Sequence, residues 1–279
     1  MIIPRMWSAV FVASACVAAL IGAGSATTTA GAMPRSAADA HVTIDPGQRI
    51  ATVPSTAIGI NGSTYDSKLL DTQVPGLLRD VGMKVVRVPG GSTSDVYDWK
   101  TSSDIVAGGH EAVDFDQFMS VVQATGAQAM VTVNYGSGDT MGRADGSGET
   151  GAQIAADWVR YANVTHHYHV KYWEIGNEIY GNGTYGANWE TDDRCSTSPS
   201  GPPVTLGSEP QQTYGCGPAT YAAIAGRYIQ AMKAVDPGIR VGVVLTAPGN
   251  WPDGVTNSQS PQSWNQTVLE AIGGQIGFA

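Results

Sequence analysis

Positive charge is what this chain has least of. Its 15 Lys and Arg stand against 24 Asp and Glu, a net charge of −9 at pH 7, and the basic residues gather into no patch. That excludes the electrostatic footprint of a nucleic-acid binder. Charge of either sign is sparse, 14% of the chain, while Gly, Ser, Thr and Asn are plentiful, which suits a neutral, hydroxyl-rich ligand. Cysteine is nearly absent: Cys16, Cys195 and Cys216 are all there is. No second Cys or His pair stands at metal spacing beside them, so a zinc site is not expected. Past residue 24 no run is long and apolar enough to span a bilayer. A Gly-rich phosphate turn is also missing, since Asn61-Gly62-Ser63-Thr64 offers a single glycine after the first strand-like run. Nothing calls for a cofactor or a metal, and nothing speaks to an oligomeric state.

What is present begins with an export signal. Arg5 gives a short positive start, Trp7 to Gly24 is apolar and small, and Ala30-Gly31-Ala32 is a small-x-small cleavage site. Residues 1–32 are therefore read as a removed leader that includes Cys16, which makes the protein secreted and leaves no membrane segment after removal. Residues 33–55 read as an entry segment with short strands over His41–Ile44 and Arg49–Val53, and residues 56–279 as one large domain. In an exported chain, Cys195 and Cys216 flank a Ser/Pro/Gly-rich stretch and are expected to close it as a disulfide, a link of about 3 kcal/mol when unstrained.

From Ala57 onward, apolar runs alternate with amphipathic ones. Strands are predicted over Ala57–Asn61, Lys84–Val88, Ala127–Asn134, Lys171–Glu178 and Ile239–Thr246, with a further strand starting at Gln275. Leu69–Val81 is predicted to be helical in part, with Pro75 in the first turn and Gly82 as the stop, and helices are predicted over Val113–Thr125, Gly151–Asn163, Tyr221–Val235 and Trp264–Ile272. Alternation without hairpins means a parallel sheet, either a (β/α) barrel or an open doubly wound sheet. The missing phosphate turn, and strand ends that carry Arg, Asn and Glu, favour the barrel. A complete barrel has eight strands in about 250 residues. Five strands and the start of a sixth are legible here, so the chain reads as an incomplete, C-terminally truncated (β/α)8 barrel of the α/β class.

The strand ends carry the candidate chemistry. Period-2 alternation puts Tyr172, Glu174, Gly176 and Glu178 on one face and Trp173 and Ile175 on the other. With Trp173 against the helices, Glu174 points inward and Glu178 stands at the mouth, where a carboxyl group of raised pKa can protonate a leaving oxygen. A solvated loop carboxylate is the competing reading. Asn177 can hold a substrate hydroxyl. Arg87 ends the second strand and is either a site residue or a structural ion pair with Glu174. Asn134 and Tyr135 follow the third strand, and Trp99 lies in the loop after the second. Such rim aromatics can stack on sugar faces, although packing is the commoner use of a ring. His166, His167 and His169 precede the fourth strand, at the opposite end from the mouth, and read as a polar turn.

The sequence Val86-Arg87-Val88-Pro89-Gly90-Gly91 with Tyr97-Asp98-Trp99, followed by Val133-Asn134-Tyr135-Gly136, then Trp158 to Asn163, then Trp173-Glu174-Ile175-Gly176-Asn177-Glu178, resembles the clan A glycoside hydrolases, above all the family 51 α-L-arabinofuranosidases. The resemblance runs from Ala57 to Ala279. It implies a (β/α)8 barrel and retaining hydrolysis of plant polysaccharide. It further implies Glu178 as general acid/base, Asn177 on the sugar 2-hydroxyl, and Arg87 and Asn134 as site-shaping groups. It also implies a nucleophilic Glu on a seventh strand, which this sequence does not contain, so the chain alone is expected to be inactive. Family members often carry a Glu near the end of the first strand, where this chain reads Gly59-Ile60-Asn61-Gly62-Ser63. That departure leaves open a related endoglycanase of the cellulase or xylanase kind, or a carbohydrate-binding protein without turnover.

Overall fold

A computed structural model describes residues 43, 45–48, 51–137, 147–181, 218–246 and 264–279. The chain divides into two units, Met1–Ala51 and Thr52–Ala279. In the first, the described residues show one turn, closed by Gln48 N–H donating to the Asp45 carbonyl at 3.2 Å. The expected leader and the Cys195–Cys216 disulfide lie outside the described residues. Of the strand expected over Arg49–Val53, the described residues 51–53 form no strand.

The second unit is built on strands β1 (Gly59–Asn61), β2 (Val85–Val88), β5 (Gln128–Val133), β6 (Tyr172–Ile175) and β7 (Arg240–Val243). They pair in chain order, every pair parallel. Gly242 of β7 bridges in parallel to Phe278, and Gly277 N–H donates to Val241 O at 2.8 Å, so the run from Gln275 does begin a sixth strand. Among the described residues the sheet does not close, and all three residues of β1 are exposed. Sequential parallel strands with intervening helices are the arrangement of a (β/α) barrel rather than of a doubly wound sheet, whose strand order reverses at a switch point.

Helices α1 (Val74–Asp80), α2 (Phe115–Thr125), α3 (Gly151–Val159), α4 (Pro218–Val235) and α5 (Trp264–Ile272) cover one face. Helix α1 packs on α2, α3 on α4, and α4 on α5. Local sequence explains their limits. Asp114 accepts the Gln117 N–H at 2.8 Å and the Gln117 side chain accepts the Asp114 N–H at 3.0 Å, a reciprocal cap that starts α2. Gly126, at φ 74°, ends it. Thr150 and Gln153 repeat the same device at the start of α3.

The run Leu69–Val81 is helical in part, as expected: Asp66 caps a short turn over Ser67–Leu70 by accepting Lys68 N–H, Asp71 is extended, and Val74–Asp80 is α-helical with Pro75 in its first turn. Two local expectations change. The helix predicted over Gly151–Asn163 is α-helical to Val159 and then widens to π geometry over Arg160–Thr165. The connection after β2 also contains a hairpin, β3 (Tyr97–Asp98) with antiparallel β4 (Ser103–Asp104), where none was expected. Two-residue strands are too short to leave an alternation signal. The turn is instead set by Asp98, which accepts from Lys100 N–H at 2.9 Å and from the Thr101 hydroxyl at 2.7 Å.

Alternation along the strands sorts the two faces. Val86, Val88, Val131, Val133, Trp173, Ile175, Val241 and Val243 are buried under the helices. Trp158 of α3 centres this layer, its ring 5.2–5.9 Å from those of Phe115, Trp99, Tyr97 and Trp173. The other face carries Asn61, Arg87, Met130, Tyr172 and Phe278 around an open cavity of about 460 Å³. The ring of Phe278 lies against Gly242, where any Cβ would overlap it.

The cap of α2 is exposed and independent of the aromatic layer, so Asp114→Ala is expected to cost about 1 kcal/mol. Urea unfolding of the two proteins checks this, with an unchanged slope and a lowered midpoint.

Candidate active site

The candidate site is assembled by strand register. Asn61 pairs with Arg87 across β1 and β2, and Thr132 with Glu174 across β5 and β6. All four side chains rise from the face opposite the helices. Arg87 Nε donates to Glu174 Oε2 at 2.7 Å, and Nη2 stands 2.6 Å from the same oxygen. Nη1 donates to Asn61 Oδ1 at 3.2 Å, and Nη2 donates to Asn177 Oδ1 at 3.0 Å. Thr132 adds a hydroxyl to Glu174 Oε2 at 3.0 Å. A planar guanidinium is suited to such simultaneous contacts, because its donors diverge in a fixed plane.

Sequence alternation carries only as far as Ile175. Gly176 has φ 74° and Glu178 φ 47°, so the chain bends sharply as it leaves β6. The bend turns the Asn177 side chain back onto Arg87. A side chain at Gly176 would place its Cβ 2.8 Å from Ile179 and 2.9 Å from Tyr135 Cβ. Glycine is therefore required both for the left-handed backbone and for space. Glu178 is half-exposed at the lip of the sheet and accepts from the Tyr180 hydroxyl at 3.3 Å. Its position is set by this bend rather than by the strand.

Asp95, which the sequence reading did not single out, braces the bend. It ends the short helical turn Gly91–Asp95 and is fully buried. Its Oδ2 accepts the Asn177 N–H at 3.1 Å. Its backbone carbonyl accepts from both the Ser137 N–H, at 3.2 Å, and the Ser137 hydroxyl, at 2.7 Å. One residue thus ties the exits of β2, β5 and β6 together. Burial pushes its carboxyl group up to about 8, against the opposing pull of the backbone N–H groups of Asn177, Gly136 and Tyr135 and of the Arg87 charge.

The other expected site residues are placed elsewhere. Asn134 is buried, donates to Tyr97 O at 3.1 Å and to Ser137 Oγ at 3.0 Å, and accepts the Ser137 N–H at 2.9 Å. It shapes the exit of β5 from within. Tyr135 is fully buried, with its ring 5.2 Å from that of Tyr221 on α4. Trp99 stacks on Trp158 at 5.7 Å and donates its indole N–H to Ile154 O at 3.2 Å. It lines a separate concavity of about 560 Å³, together with Glu111, Asp114 and Tyr161, that shares no residue with the Arg87 network. Neither ring joins Arg87 and Asn177. His166 packs its ring on Tyr161 and Tyr168. Among the described residues no His, Cys, Asp and Glu group could hold a metal ion, and no helix is long and apolar enough to cross a membrane. The network members missed from sequence are Asn61 and Thr132 as well as Asp95. Asn61 closes a strand-like run, a signal that could have found it, whereas Thr132 sits in mid-strand and Asp95 in a Ser/Thr loop.

This architecture, an open run of parallel strands with polar groups at their C-terminal ends, is that of an incomplete (β/α) barrel. The particular likenesses lie among arabinofuranosidases. A family 51 α-L-arabinofuranosidase from Bifidobacterium longum superposes with TM-score 0.55 and 18% identity, over 83% of this chain and 45% of that one. Another arabinofuranosidase superposes with TM-score 0.52 and 20% identity, over 82% and 46%. The chain therefore spans about half the length of these solved structures, and at such identities the fold is what is shared. No protein-family profile and no curated protein sequence matches the chain.

Two outcomes follow from this geometry. Gly176→Ala is expected to destabilise by more than about 1 kcal/mol, because it adds backbone strain to a steric overlap; chemical unfolding measures it. The Asp95 carboxyl group loses its proton near 3.8 in its ordinary state and near 8 when folded. Between these values the folded state holds more protons, so stability is greatest below the lower one and is lost as pH rises to the upper one. Urea midpoints taken across that range should fall with pH, with the decline reduced in Asp95→Asn.

Proposed function

We propose that this chain supplies the acid–base half of a secreted, retaining glycoside hydrolase barrel that acts on plant polysaccharide, with α-L-arabinofuranosides as its first candidate substrates. The observation that carries the reading is the Arg87–Glu174–Asn177 network. It fixes Asn177, and through the bend Glu178, at the C-terminal end of the fourth parallel strand of a glycosidase-type fold. Barrel enzymes keep their reacting groups at that end.

In this reading Glu178 protonates the glycosidic oxygen as the bond breaks, and Asn177 orients a sugar hydroxyl. A second carboxylate, about 5–5.5 Å away, attacks the anomeric carbon, and Glu178 then removes a proton from the water that releases the sugar. The resemblance assigns that second carboxylate to a seventh strand of the barrel. Export follows from the leader read over residues 1–32. An endoglycanase is the alternative, favoured by one observation: the first strand ends in Asn61, which is held by Arg87.

Calorimetry with arabinoxylan and cellulose oligomers, run beside an aryl arabinofuranoside assay, tests the proposal. Heat with arabinoxylan is the expected result. Heat with cellulose oligomers alone would move the substrate to the endoglycanases, and no heat with either would overturn the sugar reading. Turnover abolished by Glu178→Gln would show that the carboxylate pair is complete, and turnover untouched by it would remove Glu178 from the acid–base role.

A further inference from the structure

Asp95 is the buried ionisable group for which the acid–base chemistry above has no use. Its location at three strand exits gives it one. The bend over Gly176–Glu178 departs from extended geometry at two of three residues, and a non-glycine residue such as Glu178 holds a positive φ only when its surroundings enforce it. The Asn177 amide is held at both ends: its side-chain oxygen by Arg87, and its backbone N–H by Asp95 Oδ2 at 3.1 Å. The Asp95 backbone is in turn fastened to Ser137, itself fastened to Asn134 at the end of β5. Among the described residues Asp95 Oδ1 and Asn177 Nδ2 are buried without a hydrogen-bond partner of normal geometry, an arrangement retained at a cost that packing alone does not require.

We propose that Asp95 is a positioning residue that latches the Gly176–Glu178 bend through the Asn177 N–H and so sets the direction in which Glu178 is presented. The catalytic purpose of that direction rests on the glycosidase reading; the latch does not. The carboxyl group faces Arg87 from β2 and the backbone N–H groups of Tyr135 and Gly136 beyond β5, and it acts on Tyr221 of α4, which Tyr135 and Glu174 also influence. Tyr221 is pushed well above the usual phenol range by burial. It stays protonated while Asp95 titrates. Loss of the Asp95 proton therefore strengthens the bond to the Asn177 N–H and adds a negative charge beside Arg87, tightening the latch as pH rises.

The test follows the backbone amide resonance of Asn177 in the isotope-labelled full chain, a measurement that needs no sugar. In the wild type this resonance should titrate with a midpoint of about 8. Asp95→Asn keeps an acceptor oxygen but cannot ionise. It should leave the Asn177 amide protected from exchange and its resonance independent of pH. Asp95→Leu removes the acceptor and should speed exchange of this amide about tenfold, the contribution of one hydrogen bond, with the amides of β5 and β6 unchanged. A resonance that titrates equally in the wild type and in Asp95→Asn overturns the latch, as does an Asn177 amide unprotected in the wild type. Should Asp95→Leu fail to fold, the comparison of the wild type with Asp95→Asn still decides. Failure of this test leaves sugar binding untouched, and failure of sugar binding leaves this test standing.

Discussion

The polar architecture of this chain depends on one guanidinium. Arg87 stands in mid-sheet on the face opposite the helices, only 16% exposed, and must find acceptors there. It finds them on β1, on β6 and on the bend past β6. Such a pattern requires the strands to run parallel and in chain order with the observed register, because a slip of one residue would turn Glu174 toward the helices and strand the cation. The pair is thus a registration device as well as an ion pair. Breaking one half of a desolvated pair costs more than the intact pair contributes, since it leaves the other charge unpaired.

The Arg87–Glu174 pair was legible in the sequence as one of two alternatives, and so was the separation of Trp173 from Glu174 onto opposite faces. Both rest on period-2 alternation, which is reliable within a strand. The parallel order was legible because apolar strand-like runs alternate with amphipathic helical ones. Alternation failed one residue past Ile175, where Gly176 changes the direction of the chain, so the side chain that meets Arg87 is that of Asn177. Trp99 and Tyr135 were read as rim residues, yet they pack on α3 and under α4. An indole or phenol ring suits a sugar face and a protein core equally, and composition does not distinguish the two. Asp95 left no trace, because an acid in a Ser/Thr run reads as a solvated loop residue. Its burial is a product of tertiary structure alone.

The site divides its labour between two kinds of residue. Arg87, Asp95, Asn134 and Gly176 spend their side chains, or the lack of one, on fixing backbone at the strand exits. Glu178, in contrast, makes one long hydrogen bond among the described residues, to Tyr180.

Gly242 has its own bearing on the assembly of the sheet. The ring of Phe278 occupies the ground that a side chain at 242 would take, and the two residues are bridged partners. Other alignments of the last residues along β7 would carry the ring away from the one gap in that strand's inner surface. The aromatic side chain therefore works as a key cut for a single notch, so that shape and backbone pairing specify the same alignment of the last residues on β7.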